Sequence, residues 1–324
     1  MKRKAAIMAD KPVILAHPGL GALMAIFEGA YEVVTWPRTP DALALFQAET
    51  ASKVQVAVVI GSTGLPPEAY SALTNLKAIV CFGTGHDGVR TDICRQRGIA
   101  LANCPGANAD DVADFAIGLL IDVERRITAG GALMCAGDWK GIPAFPFPPR
   151  GLKGLKLGVV GLGAIGLGVA RRGEAFGMIP RWTGPRAKPD APYPYEPSLL
   201  ALAKWADALV LALRPDPGTE HMVNAEILGA LGPEGVLINV ARGSVVDEAA
   251  LIAALKEGRV GGAGLDVFED EPTPMERWAD VPNVVLTPHI AGASRQSVMT
   301  MAQMVLANLA AFHAGRPMPT AVEL

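Results

Sequence analysis

The stretch GVVGLGAIG at residues 158–166 decides the fold. Its glycines Gly161, Gly163 and Gly166 have G-x-G-x-x-G spacing, with the apolar run LGVV before them and the helical pattern AIGLGVARRGEAFG after. A strand, a tight glycine turn and a helix in that order make the phosphate-binding corner of a dinucleotide fold. Gly161 permits the tight turn, Gly163 lets the backbone approach a pyrophosphate, and Gly166 lets helix and strand pack closely. The amides of Ala164 and Ile165 then point at the phosphates from the helix N-terminus.

Working outward, short apolar runs alternate with longer helical patterns. Strands are expected at PVILAH (12–17), VAVVIG (56–61), KAIVCFG (77–83), LGVVGLG (157–163), ADALVLAL (206–213), GVLINVA (235–241), GGAGLDVF (261–268) and NVVLTP (283–288). Near-continuous apolar runs of this length suit strands covered on both faces, hence parallel α/β sheets. Helices are expected from Asn108, which can cap and is followed by Asp110 and Asp111, and over about 294–314. The stretch GIPAFPFPPRGLKG (141–154) reads as a loop or crossing segment. The glycine motif begins at 158, after at least three strand-like runs, so two α/β domains are expected.

The sequel to the glycine turn departs from the common pattern. An Asp or Glu about twenty residues beyond the glycines grips the ribose hydroxyls of NAD. Here the chain reads RWTGPRAKP (181–189), with no acid before Asp190. Small and hydroxyl residues with a guanidinium suit the 2′-phosphate of NADP instead. Thr183 offers a hydroxyl, Gly184 makes room, and Arg186 can pair with the phosphate. Trp182 presents a flat face to the adenine or belongs to the core. Arg214, after the next strand run, can close over the adenine from the other side. The expected cofactor is NADP, with NAD possible at the same corner.

Three further stretches carry chemistry. INVARGSVVDE ends a strand with Arg242, GLDVFEDEP carries Asp266 and Glu271, and TPHIAG ends a strand with His289. Together they suit hydride transfer to a 2-keto acid. Arg242 supplies a bidentate cation for the substrate carboxylate, a protonated imidazole at His289 donates a proton to the carbonyl, and Glu271 beside that imidazole fixes its tautomer.

GLGAIG, INVARGSVVDEAAL, GLDVFEDEP and PNVVLTPHIAG, in this order, resemble the D-isomer-specific 2-hydroxyacid dehydrogenases. The upstream runs LKAIVCFGTGHDGV and GIALANCPGANADDVADFAIGLL resemble the same family, so the likeness extends from about Leu76 to His289 and beyond. It implies two Rossmann-like or flavodoxin-like domains with parallel sheets. Residues 1–103 plus 288–324 would form a discontinuous substrate domain and 104–287 a dinucleotide-binding domain, with the active site in the cleft between them. The resemblance gives Arg242, Glu271 and His289 the catalytic roles above. It implies that Gly83, Thr84 and Gly85 offer amides to the substrate carboxylate, that Asp266 holds the nicotinamide carboxamide, and that Val240 and Gly292 line the cofactor. Within the family, RWTGPRAKP resembles the NADPH-dependent glyoxylate and hydroxypyruvate reductases most. A dehydrogenase of another D-2-hydroxy acid (lactate, or a branched or aromatic one) is the alternative within the class. A dinucleotide-sensing corepressor-like binding module on the same scaffold is the alternative outside it. A homodimer is implied too, with Asp138, Trp139 and the proline-rich stretch either at that contact, at a partner's pocket, or on a solvent-side loop.

Composition bounds the rest. At 324 residues, with 50% hydrophobic residues and a net charge of -3, the chain has ample core and gives no reason to expect nucleic acid as partner. No apolar run reaches the roughly 18 residues that span a bilayer, and MKRKAAIMAD lacks the apolar region of a secretory signal. None of the four cysteines (Cys81, Cys94, Cys104, Cys135) forms a CxxC pair. They read as reduced thiols in a cytoplasmic protein. No metal is expected.

Overall fold

The computed structural model describes residues 11–141 and 149–324. The basic N-terminal decapeptide and residues 142–148 of the proline-rich stretch lie outside the described residues. The chain divides into two compact units, Met1–Asn108 with Arg295–Leu324, and Ala109–Ser294. The breaks expected after residues 103 and 287 fall slightly before these.

In chain order the first elements are β1 (Val13–Ala16), α1 (Ala25–Glu28), β2 (Glu32–Thr35), α2 (Pro40–Glu49), β3 (Val56–Ile60), α3 (Pro67–Ala72), β4 (Ala78–Phe82), α4 (Thr91–Arg97) and β5 (Ala100–Ala102). There follow α5 (Ala109–Arg125), α6 (Ile127–Cys135), β6 (Lys156–Val160), α7 (Ala164–Ala175), β7 (Ile179–Thr183), α8 (Leu199–Trp205), β8 (Ala208–Leu211), α9 (Ala225–Leu231), β9 (Val236–Asn239), α10 (Glu248–Lys256), β10 (Gly262–Leu265) and β11 (Val284–Leu286). The chain ends with α11 (Arg295–His313) and β12 (Ala321–Val322).

Each unit holds one six-stranded sheet, ordered β12-β5-β4-β3-β1-β2 and β11-β10-β9-β8-β6-β7. The second sheet is parallel throughout, and in the first only β12 runs antiparallel, against β5. All eight apolar runs read from the sequence contain strands. Four strands, β2, β5, β7 and β12, were not among those runs. Two of these, β2 and β7, are edge strands of four and five residues: EVVT in β2 is nowhere fully buried, and IPRWT in β7 carries Pro180 and an exposed Ile179. A strand with one neighbour needs neither a continuous apolar run nor every amide. The other two, β5 and β12, span only three and two residues.

The order reverses between β6 and β8, where β6 pairs with β7 on one side and β8 on the other. Ligands of open α/β sheets bind outside the carboxyl ends of strands at such a switch point. The glycine turn follows β6 at this place. Helix α5 starts one residue beyond Asn108, with Asp110 and Asp111 in its first turn. Its buried face includes Val112, Ala113, Ala116, Leu119, Leu120 and Val123, at helical spacing. Glycines allow it to sit close to its neighbours. A Cβ at Gly168 of α7 would lie 2.9 Å from Ala113 Cβ, and one at Gly264 of β10 would lie 3.0 Å from Leu119 Cβ. Hence the buried strand β10 reads GAGL.

Candidate active site

The three glycines of the turn are separated by what a side chain would meet. Gly161 has φ +91°, in the region that favours glycine, and its amide donates to Thr183 O at 2.8 Å. A Cβ at Gly166 would lie 1.9 Å from Gly161 O, so α7 could not approach the turn. A Cβ at Gly163 would meet no protein atom within 4 Å. Gly163 thus exposes backbone at the N-terminus of a 12-residue helix, where Ala164 and Ile165 begin the first turn. These features fit a pyrophosphate.

The loop after β7 differs in part from its sequence reading. Trp182 is 1% exposed, its indole Nε1 donates to Tyr193 O at 3.1 Å, and its ring packs against Tyr195. Of its two readings, the core one holds. Thr183, expected to offer a hydroxyl, is 4% exposed. Gly184 O accepts from the Tyr195 hydroxyl, which pins the chain just before Arg186, an exposed residue. Lys188, which the sequence reading passed over, donates from Nζ to Leu162 O in the glycine turn at 2.5 Å. The loop therefore carries two cations, Lys188 against the turn and the exposed Arg186 two residues before it. Lysine in a loop is an unremarkable sequence signal; only the fold returns this one to Leu162. Arg214 is exposed just beyond β8, the strand next to β6. Val240 is buried directly after β9.

Arg242, Glu271 and His289 come from loops after β9, β10 and β11, which are adjacent in the sheet. His289 Nδ1 lies 2.7 Å from Glu271 Oε2, and the two side chains are 35% and 34% exposed. Burial pushes the Glu271 carboxyl up. The hydrogen bonds from His289 and from the Phe268 amide, with the charges of His289 and Arg242, outweigh it and hold the carboxyl below its usual range. Arg242 is half-buried and donates from Nη1 to Ala241 O at 2.7 Å.

The supports of these three residues were missed in the sequence. Asn239, 1% exposed, donates to Arg242 O and accepts from the Ala241 amide, which shapes the arginine loop. His289 itself has φ +54°, unfavourable for a residue with a Cβ. Asp266 holds it there. This carboxylate is 1% exposed and accepts from the Thr287 hydroxyl at 2.6 Å, the Ile290 amide at 2.9 Å and the Ala291 amide at 2.8 Å. Its backbone carbonyl accepts from the His289 amide. A carboxylate has about four acceptor sites, so the capacity for the expected nicotinamide contact at Asp266 is about one donor. Gly292 follows in the same loop.

A charge network backs the Glu271 loop. Glu248 is 2% exposed and lies 2.9 Å from Arg277 Nη1; its Oε1 accepts from the Glu269 amide, while Glu269 Oε1 accepts from the Glu248 amide. Glu269 also lies 2.9 Å from His221 Nε2. Gly243 presses on this loop so closely that a Cβ there would lie 1.8 Å from Phe268 C. The arginine and glutamate loops are therefore packed as one piece.

The turn expected to meet the substrate carboxylate lies in the unit Met1–Asn108 with Arg295–Leu324. The turn of Gly83, Thr84 and Gly85 follows β4, with Gly83 at φ +137°. Gly83 O accepts from the Cys104 amide and Thr84 O from Asn103 Nδ2, while Thr84 Oγ1 lies 2.9 Å from Asn108 Oδ1 and 3.0 Å from Cys104 O. The bonds that hold this turn run through its carbonyls and hydroxyl. Cys81 and Cys104, which flank it, are buried, and burial above all pushes the Cys81 thiol up to about 12, so it packs and does not react. Among the described residues no three His, Cys, Asp or Glu side chains are grouped to hold a metal ion.

Comparison with known proteins agrees with this geometry. Residues 117–291 match the model of the D-isomer specific 2-hydroxyacid dehydrogenase NAD binding domain. The chain belongs to this family. Among members of the dehydrogenase family it is 38% identical to the glyoxylate/hydroxypyruvate reductase HPR3 of Arabidopsis thaliana, over 98% of each chain. It is 41% identical to the 2-ketogluconate reductase of Gluconobacter oxydans, over 81% of this chain and 84% of the relative. A solved structure of the NADPH-dependent glyoxylate/hydroxypyruvate reductase of Sinorhizobium meliloti, in complex with NADP and malonate, superposes with a TM-score of 0.87 at 37% identity, covering 97% of each chain. The chain is thus an oxidoreductase of the 2-hydroxyacid dehydrogenase family, and the binding-module alternative falls away.

Proposed function

We propose that the chain reduces glyoxylate to its achiral 2-hydroxy acid, and hydroxypyruvate to the D-2-hydroxy acid, with NADPH. The His289–Glu271 pair at 2.7 Å, one sheet position from Arg242, is the observation that carries this reading. When bound, the reduced nicotinamide supplies the hydride. The Arg242 guanidinium binds the substrate carboxylate and polarises the carbonyl. His289 Nε2 gives the carbonyl oxygen its proton, while Glu271 holds Nδ1 and stabilises the imidazolium. The amides of Gly83, Thr84 and Gly85 serve the substrate carboxylate, and Asp266, Val240 and Gly292 serve the nicotinamide end. Gly161, Gly163, Ala164, Ile165 and Gly166 hold the pyrophosphate. Arg186 pairs with the 2′-phosphate, beside Gly184 and Thr183, and Lys188 adds a second cation; Arg214 covers the adenine.

Oxidation of NADPH and NADH, followed separately with glyoxylate and hydroxypyruvate, tests this. NADPH is expected to be favoured at least about tenfold in kcat/KM, because each charge-assisted hydrogen bond to the phosphate contributes roughly 1.5–3 kcal/mol. The double variant Arg186→Ala/Lys188→Ala is expected to lose that preference while keeping its NADH rate. A wild-type preference for NADH would sink the assignment of this loop.

We also propose a cytoplasmic homodimer. Helix α6 reads ITAGGALMC and buries none of its residues; Ile127 and Met134 are 57% and 55% exposed, and Trp139 just beyond is 62% exposed. A patch of this kind marks an interaction surface. The exposed free thiol of Cys135 suits a reducing compartment, and among the described residues no helix is long and apolar enough to cross a membrane. Light scattering is expected to give a dimer that Ile127→Glu/Met134→Glu converts to monomer.

A further inference from the structure

The loop that carries Glu271 runs between β10 and β11, and much of it closes on itself. The Phe268 and Trp278 rings meet edge to face with centroids 5.9 Å apart. Trp278 Nε1 donates to Thr273 Oγ1 at 3.1 Å, and Arg277 Nη2 donates to Glu269 Oε2 at 3.4 Å. Glu271 lies between these closing residues in the chain, with Oε1 accepting from the Phe268 amide and Oε2 on His289 Nδ1.

One buried side chain from another element meets this closure at both ends. Glu248, the first residue of α10, accepts from the Glu269 amide through Oε1 at 2.6 Å. Its Oε2 lies 2.9 Å from Arg277 Nη1, so a single carboxylate ties the chain on either side of Glu271. The tie to Glu269 is reciprocal, since the Glu248 amide donates to Glu269 Oε1 at 3.2 Å.

Neither helix capping nor stability accounts for a carboxylate here. Asp247 already caps α10, its side chain accepting from the Ala250 amide. Burial pushes the Glu248 carboxyl up and the charges of Glu269 and Asp270 add to this, against the Glu269 amide and the Arg277 charge. An ion pair with a buried member contributes little to stability compared with apolar residues of similar volume. What a leucine cannot do is hold two points of one loop at fixed hydrogen-bonding distances.

We propose that Glu248 is a positioning residue for proton donation: it holds Glu269 and Arg277 so that the Glu271 carboxylate stays on His289 Nδ1 while Nε2 gives up its proton. The proposal rests on the reduction reading above. Glu248 acts through Glu271, and without its two ties the Glu271 carboxylate shifts from Nδ1 and proton transfer slows.

Glu248→Leu removes both ties, whereas Glu248→Gln keeps an acceptor for the Glu269 amide and gives up the charge that meets Arg277. Steady-state reduction of glyoxylate and hydroxypyruvate by NADPH, in water and in deuterium oxide, reads the effect. In Glu248→Leu kcat is expected to fall about ten- to a hundredfold, the scale of a misplacement on the order of 1 Å, and in Glu248→Gln about three- to tenfold. In both, the solvent isotope effect on kcat should rise above that of wild type, because proton transfer has become slower relative to the other steps. KM for the dinucleotide should hold, since its corner follows β6, which is not a neighbour of β10 in the sheet. A carboxylate with a merely structural role would lower the folded fraction, and the rate with it, and leave the isotope effect unchanged. If Glu248→Leu does not fold, Glu248→Gln decides alone. Wild-type kcat in the folded variants, or a lower kcat with an unchanged isotope effect, overturns the assignment of Glu248. A wild type that turns over neither keto acid with either dinucleotide overturns the reduction reading, and this assignment with it.

Discussion

Replacing His289 with asparagine is expected to lower keto-acid reduction about a hundred- to ten-thousand-fold, the range that a positioned general acid contributes. Asparagine preserves polarity and tolerates the positive φ of this position, so the loop held by Asp266 should keep its shape. Dinucleotide binding, read by fluorescence titration, should change little. Loss of both activity and dinucleotide binding would mean that the loop had moved, and near wild-type activity would remove His289 from its role. Glu271→Gln gives a companion test with a defined sign in pH. The Glu271 carboxyl titrates below its unfolded value of 4.5. It therefore contributes stability that is fully present above that value and is lost as pH falls through the lowered folded one. Thermal melting from roughly pH 6 to pH 3 should accordingly show a steeper loss for wild type than for Glu271→Gln.

The glycine turn gives the second large effect, and it divides two adjacent glycines. Gly166→Ala is expected to destabilise the protein by about 3 kcal/mol or more, the upper range for overpacking. The added Cβ would lie 1.9 Å from Gly161 O, a backbone atom in a turn that cannot easily yield. Gly163→Val is expected to leave the melting temperature nearly unaltered, since no protein atom lies within 4 Å of its Cβ position. Its cost falls on the dinucleotide, whose pyrophosphate needs that approach, and KM for the cofactor should rise at least about tenfold. Equal stability losses in both variants would show that Gly163 serves packing, not a ligand.

These contrasts mark where sequence reading stops. The spacing of Gly161, Gly163 and Gly166 and the apolar runs around them were legible because they are local. A turn type, a helix start and a buried strand depend on residues close along the chain. The same local view left Trp182 open between the adenine and the core, and did not show how deeply Thr183 is buried. Their neighbours RWTGPRAKP looked like a ligand loop, whereas the start of that stretch is strand β7, with both residues buried against the sheet. Lys188 was passed over because its partner, Leu162, lies 26 residues earlier.

The catalytic set divides along the same line. Sequence alone determined that an arginine, a glutamate and a histidine follow apolar runs downstream of a nucleotide turn, because each strand and each strand end is a local feature. Tertiary structure alone decided that Asp266, Asn239 and the Glu248–Arg277 pair hold the loops that bring His289 to Glu271, 18 residues away. The physical reason is strand order. Placing β9, β10 and β11 side by side brings three separate loops to one edge of the sheet. Nothing in the spacing of residues along the chain states which strands become neighbours.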